Sequence, residues 1–178
     1  TIILTDIAGN EKTYSFRIKK YAPAVSIFTS STMELKNGAT TRENFYFSWS
    51  ESSVTATLNG KLYTNKSVIK TAGNHVFIIS DNVGNTAYYN IILDNVPPTF
   101  TLNGVEQGGR TNNDVSLTWD EIGATATIDK IAYTSGAIID LEGLHQFILS
   151  DALGNQVVID FEIDKTPPSY TLVGVSLG

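Results

Sequence analysis

Residues 145–155 read HQFILSDALGN, and residues 75–85 read HVFIISDNVGN, the same phrase 70 positions earlier. A shorter version, IILTDIAGN, occupies residues 2–10, 75 positions ahead of the second. In each, an apolar run ends at an Asp that stands three residues before a Gly. A type I turn favours Asp at its first position and Gly at its fourth. The carboxylate accepts hydrogen bonds from N–H groups that the bend leaves free, and Gly takes the positive φ that returns the chain as a hairpin. Seen once, a His and an Asp beside a glycine suggest a site. Seen three times at a fixed spacing, they predict the closing hairpin of a repeat.

The flanks repeat in the same register. WSESSVTATLNGKLYT (49–64) aligns without a gap on WDEIGATATIDKIAYT (119–134), and DNVPP (94–98) on DKTPP (164–168). Residues 49–98 and 119–168 share 19 identities in 50 positions. Two complete repeats follow, 24–98 and 99–168, the first longer by five residues that fall between Ala24 and Trp49. Residues 1–23 read as the C-terminal part of a preceding repeat, and SYTLVGVSLG (169–178) matches TFTLNGVEQG (99–108), the first strand of a following one. The chain is expected to be a slice of a longer array.

Each repeat reads as about seven short strands. In the second, FTLNG (100–104) precedes a polar loop, EQGGRTNN (106–113). DVSLTW (114–119) then alternates apolar and polar residues with the period of a half-buried strand. ATATI, IAY, AIIDL, HQFILS and QVVIDFEI complete the set, and no apolar i, i+3, i+4, i+7 stripe is long enough for a helix. The pattern predicts an all-β fold of antiparallel sandwiches. The Pro97-Pro98 and Pro167-Pro168 pairs end the last strand in a stiff polyproline-like step, which predicts a rod-like array with units roughly 35–40 Å long.

Composition narrows the function. The chain has no Cys, which excludes disulfides, thiolate metal sites and Cys-based catalysis. A net charge of −6, with twelve scattered basic residues, lacks the basic face that nucleic acid requires. No apolar run approaches the roughly 18 residues of a membrane span, and the segment after Thr1 lacks the marks of a signal peptide.

Three features resemble the bacterial Ig-like repeats of cell-surface and adhesin proteins: the Asp-x-x-Gly-Asn hairpin, the Asp-x-x-Pro-Pro junction, and an x-Gly-x-[aromatic or His]-x-Phe strand entry, at 72–77 and 142–147. The resemblance implies tandem Ig-like sandwiches that are extracellular, on a bacterial surface or secreted. It implies a stalk or spacer whose partners are its neighbouring repeats, with self-assembly into fibres and a host protein or glycan ligand as further expectations. The ranked readings are a non-enzymatic structural segment, then a ligand- or glycan-binding adhesin module, then an accessory sandwich domain of an extracellular carbohydrate-active enzyme.

No residue set spells out catalysis. His75 and His145 recur at one position, five and six residues from Ser150 and Asp151 or their equivalents, some 17–20 Å along a strand. They stand where many sandwiches place a corner Tyr, and a structural hydrogen bond is the favoured reading. Asp81, Asp94, Asp151 and Asp164 are the candidate metal ligands, for Ca²⁺ at a junction. Calcium takes six to eight oxygens, so turn capping is favoured and no cofactor is expected. Asp120, Glu121, Asp129, Asp140 and Glu142 give repeat 99–168 three basic and eleven acidic residues, net −8, against net zero for 24–98. They read as solvated surface, with a cation-binding face as the alternative. The recurrent Trp49, Trp119, Tyr63 and Tyr133 read as core. The unshared Tyr88 and Tyr89 are the candidates for a sugar platform. No Lys is shared between the repeats, which argues against an isopeptide cross-link.

Overall fold

The computed structural model describes residues 1–171 and 173–174. Among them there is no helix, and so none long and apolar enough to cross a membrane. The chain divides into two compact units, Thr1–Leu93 and Asp94–Gly178.

The first unit opens with a two-stranded hairpin, β1 (Ile2–Thr5) and β2 (Glu11–Tyr14). It continues with β3 (Ser26–Thr29), β4 (Glu34–Leu35), β5 (Thr40–Thr41), β6 (Phe45–Ser48) and β7 (Val54–Leu58). β8 (Lys61–Leu62), β9 (Gly73–Asp81) and β10 (Thr86–Leu93) complete it. A three-stranded sheet runs β4-β3-β6 and a five-stranded sheet β5-β10-β9-β7-β8.

The second unit contains β11 (Thr101–Asn103), β12 (Arg110–Thr111), β13 (Val115–Thr118) and β14 (Thr125–Ile128). β15 (Ile131–Tyr133), β16 (Ile138–Ile139), β17 (Gly143–Ser150) and β18 (Gln156–Ile163) follow. Its sheets run β11-β13-β16 and β12-β18-β17-β14-β15.

In each unit the two sheets share one core. β9 alternates, so His75, Phe77, Ile79 and Asp81 turn inward while their neighbours face out. Phe77 stacks on Phe47 of the opposite sheet, centroids 4.1 Å apart and planes 10° from parallel. In the second unit Phe147 and Leu149 of β17, with Ile159, Phe161 and Ile163 of β18, close over Val115 and Leu117 of β13. Each such side chain contributes about 1.5–3 kcal/mol on burial.

Three details depart from the sequence reading. The polar loop contains β12, and β5 stands in its place in the first unit. Both pair in parallel with the last strand of their unit, Arg110↔Glu162 and Thr40↔Ile92, so the sheets are not purely antiparallel. A two-residue polar strand carries no periodicity and leaves no trace in the pattern. The longer first repeat uses its extra length for β4, which pairs with β3 across Ile27↔Leu35. Where β13 meets β16 at Val115↔Ile139, the first unit keeps a single bridge in the same register, Phe45↔Ile69.

Residues 94–98 cluster with the unit that follows them. Of the expected strand at 169–178, residues 172 and 175–178 lie outside the described residues, and 169–171 and 173–174 are in no strand.

Candidate functional site: the closing hairpin

The turn at Asp151 has the geometry that its residues dictate. Gly154 N–H donates to the Asp151 carbonyl at 3.2 Å, and Asp151 N–H donates to the Asn155 carbonyl at 3.0 Å. Gly154 has φ +84°, and Gly84 and Gly9 have +94° and +84°. Asp151 Oδ1 accepts from Leu153 and Asn155 N–H, and Oδ2 accepts from Asn155 Nδ2 at 2.7 Å. The Asp81 and Asp6 turns repeat this set. Burial pushes the Asp151 carboxyl up, but the donors from Asn155, Leu153 and Gly154 outweigh it, so its pKa lies below the ordinary value. These carboxylates are ionised and engaged by their own turns.

The Asn of the motif has a second role that the sequence reading missed. The same amide that bonds Asp81 also donates from Asn85 Nδ2 to the Lys19 carbonyl at 3.3 Å. Asn155 Nδ2 likewise donates to the Asp94 carbonyl at 2.8 Å. Lys19 and Asp94 are equivalent, 75 positions apart, and each belongs to the segment leading into its unit. Asn follows Gly in all three turns, and that recurrence was the available signal. Lys19 adds an ion pair of Nζ with Asp81 Oδ2 at 2.9 Å and a contact with Glu51. Burial raises the Asp81 pKa, yet Lys19 and Asn85 carry it well below the usual carboxylate range.

The four candidate metal ligands do not converge. Asp94 Oδ1 accepts Val96 N–H at 3.4 Å, while Asp164 Oδ1 accepts Thr166 N–H at 3.2 Å and its Oδ2 lies 3.6 Å from Arg110 Nη1. Among the described residues no three carboxylate or imidazole side chains gather as a metal site would require.

The histidines are buried, 6% and 8% exposed. Each points Nε2 at the carbonyl four residues back, Thr71 at 2.8 Å and Leu141 at 2.9 Å. Their other nitrogens differ. His145 Nδ1 lies 2.7 Å from Asp129 Oδ2, whereas His75 Nδ1 has no partner, and Asn59 stands where Asp129 does. A carbonyl cannot donate. Burial raises the Asp129 pKa, but Gln146 N–H and His145 lower it further, so that group is an anion. The His145 ring thus lies between two acceptors, the Leu141 carbonyl and the Asp129 carboxylate. Ser150, whose hydroxyl accepts from Gln156 Nε2, lies at the far end of β17 from His145.

The histidines make the structural hydrogen bond expected of them, and Tyr63 and Tyr133 tie a further corner. Tyr133 Oη donates to the Ala137 carbonyl at 2.5 Å and accepts Leu117 N–H at 3.0 Å. Tyr63 does the same with Ser67 and Phe47. Trp49 and Trp119 pack on the cores. The strand period separates Tyr88 from Tyr89: Tyr89 packs against the stacked Phe47 and Phe77 rings, and Tyr88 is 65% exposed. The two cannot form one platform. No protein-family model matches the chain, and no curated protein is found to be similar to it.

Proposed function

We propose that the chain is a non-enzymatic spacer segment, part of a stalk or fibre of tandem Ig-like repeats in an extracellular bacterial surface protein. The observation that carries this reading is where the repeated polar residues are spent. Asp81 and Asp151 hold their own turns, Asn85 and Asn155 grip the leading segment of their units, and Tyr63 and Tyr133 tie a corner. What the repeats share is architecture, and the Cys-free composition suits a bacterial surface protein stiffened without disulfides. Small-angle scattering on chains of two, four and six repeats tests it. The maximum dimension should grow by a constant step of roughly 35–40 Å per repeat; a compact particle whose dimension stays nearly flat would sink the proposal.

A second reading, a glycan-binding module, draws on the outward Tyr88, since an exposed ring with its apolar face free can stack on a sugar. Glycan-array binding that disappears in Tyr88→Ala, with folding intact, would favour it over the spacer.

A further inference from the structure

In the second unit the Asp129 carboxylate meets the buried ring of His145, while in the first Asn59 stands in that place and His75 Nδ1 has no partner. Asn59 is followed by Gly60, whereas Asp129 is followed by Lys130. Asn is a thermally labile residue. It is most labile before Gly, where no Cβ on the next residue hinders the backbone nitrogen from reaching the side-chain carbon.

The chain has three Asn-Gly pairs, at 37–38, 59–60 and 103–104, and the fold treats them differently. The Asn37 side chain is held at both ends, its Oδ1 accepting Asn90 N–H at 2.7 Å and its Nδ2 donating to the Tyr88 carbonyl at 3.2 Å. Asn103 lies in β11, paired with Ser116, and a Cβ on Gly104 would fall 2.2 Å from the Asp114 carbonyl oxygen. Asn59 and Gly60 form the turn between β7 and β8, and both are exposed. Asn59 Oδ1 accepts Val76 N–H at 2.8 Å, a donor placed to stabilise the negative oxygen that attack at Cγ creates. Among the described residues Asn59 Nδ2 has no hydrogen-bond partner. β8 is two residues long and stands at the edge of its sheet, so the turn opens at low cost.

We propose that Asn59 is a site of spontaneous deamidation, and that its product gives His75 the carboxylate contact that His145 already has. The Gly60 backbone nitrogen bonds to Asn59 Cγ, and the side-chain nitrogen leaves as ammonia, taking the Gly60 proton with it. Water then attacks Cγ of the resulting five-membered imide. The bond from Cγ to the Gly60 nitrogen breaks, that nitrogen regains a proton, and the residue is left as aspartate. Opening at the backbone carbonyl instead would lengthen the main chain by one carbon between Leu58 and Lys61, which are paired in register, so the fold retains aspartate. One new carboxylate oxygen keeps the Val76 N–H, as Asp129 Oδ1 keeps that of Gln146. The other turns to His75 Nδ1, as Asp129 Oδ2 does to His145 at 2.7 Å. The change runs one way, needs only water, and makes the first unit's turn match the second's. It concerns a single unit and does not rest on the spacer reading.

Peptide mapping of the folded 178-residue chain, held at mildly alkaline pH and sampled over days, tests it. The three Asn-Gly pairs fall in separate tryptic peptides, 37–42, 43–61 and 71–110, so two serve as controls for the third. Asn59 should convert to aspartate several-fold faster than Asn37 or Asn103. In the intact chain the His75 ring-nitrogen resonances should move toward those of His145 over the same time course, and Asn59→Asp should show them moved from the start. Gly60→Lys supplies the residue that Lys130 places at φ +70° in the equivalent turn, and should slow the conversion with the fold kept. An Asn59 that stays amidated, or converts no faster than the two controls, overturns the proposal. So does a product that is mainly isoaspartate, conversion undiminished in Gly60→Lys, or an aspartate that leaves the His75 resonances in place.

Discussion

Asp129 and Asn59 differ by one group of atoms at equivalent positions, and the consequence reaches a buried ring. Asp129 Oδ1 accepts Gln146 N–H at 2.8 Å and its Oδ2 holds His145 Nδ1. Asn59 keeps the first bond, to Val76 N–H at 2.8 Å, and leaves His75 Nδ1 without a partner. Asp129→Asn should cost the second unit about 1–2 kcal/mol, toward the low end for a charged hydrogen bond because the Asp129 side chain is 41% exposed. The reverse change, Asn59→Asp, should stabilise the first unit by supplying the missing acceptor. Urea unfolding of both variants checks the pair, and a loss from both would refute the assignment. The pH dependence follows from the lowered Asp129 pKa. Its contribution is present above the unfolded carboxyl pKa of about 3.9 and is lost as pH falls through the lower folded value. Asp129→Asn should therefore flatten part of the acid limb of the stability curve and leave the difference at neutral pH intact.

The hairpin is the element in which sequence and structure agree most closely, because its signals are local. Asp, Gly and Asn at fixed spacing specify a turn whose hydrogen bonds stay within five residues. Gly84 has φ +94° and nothing within 4 Å of where a Cβ would sit. Gly84→Ala should thus be a conformational penalty alone, about 1–2 kcal/mol, read as a lower melting temperature with no change in the core aromatic signal. What remained hidden in the sequence depends on distant partners. The leading segment is held by a side chain 61 or 66 residues away in sequence, and no local pattern reports such a reach. The corner bonds of Tyr63 and Tyr133 were masked for a different reason: each ring packs on its core, so burial explained the recurrence before the hydroxyl was considered. The comparison of leading segments also gives a designed gain. Lys19 bridges Asp81 and Glu51, and the equivalent positions in the second unit hold Asp94, Asp151 and Glu121. Asp94→Lys should install the same bridge and stabilise the second unit by about 0.5–1 kcal/mol, with a gain that shrinks in high salt. An unchanged or lower melting temperature would show that the backbone bond from Asn155 alone sets the segment.

For the molecule as a whole, the repeat and its strand periods pointed to the all-β class in advance, and the period of two is kept in the structure, where Phe77 and Phe147 turn inward. It could not assign β5 and β12 or their parallel pairing, because two polar residues hold their place only through the last strand of the unit. Nor could it show that Ile131, Ile138, Leu141 and Leu144 stand exposed, as exposure is a property of the assembled sheets. The two units bury separate sets of residues, one around Phe47 and Phe77, the other around Leu117 and Phe147. Phe147 is fully buried and lies within 5.6 Å of the Tyr133 ring and 6.1 Å of the Trp119 ring, centroid to centroid. Phe147→Ala should remove about 3–5 kcal/mol from the unit that contains it. Hydrogen exchange locates the loss: β13, β14, β17 and β18 should exchange faster together, as one cooperative core, while β6, β7, β9 and β10 keep their protection. Loss of protection in β9 and β10 as well would mean that the repeats fold as a single cooperative body, and stability would then have to be assigned to the array and not to its units.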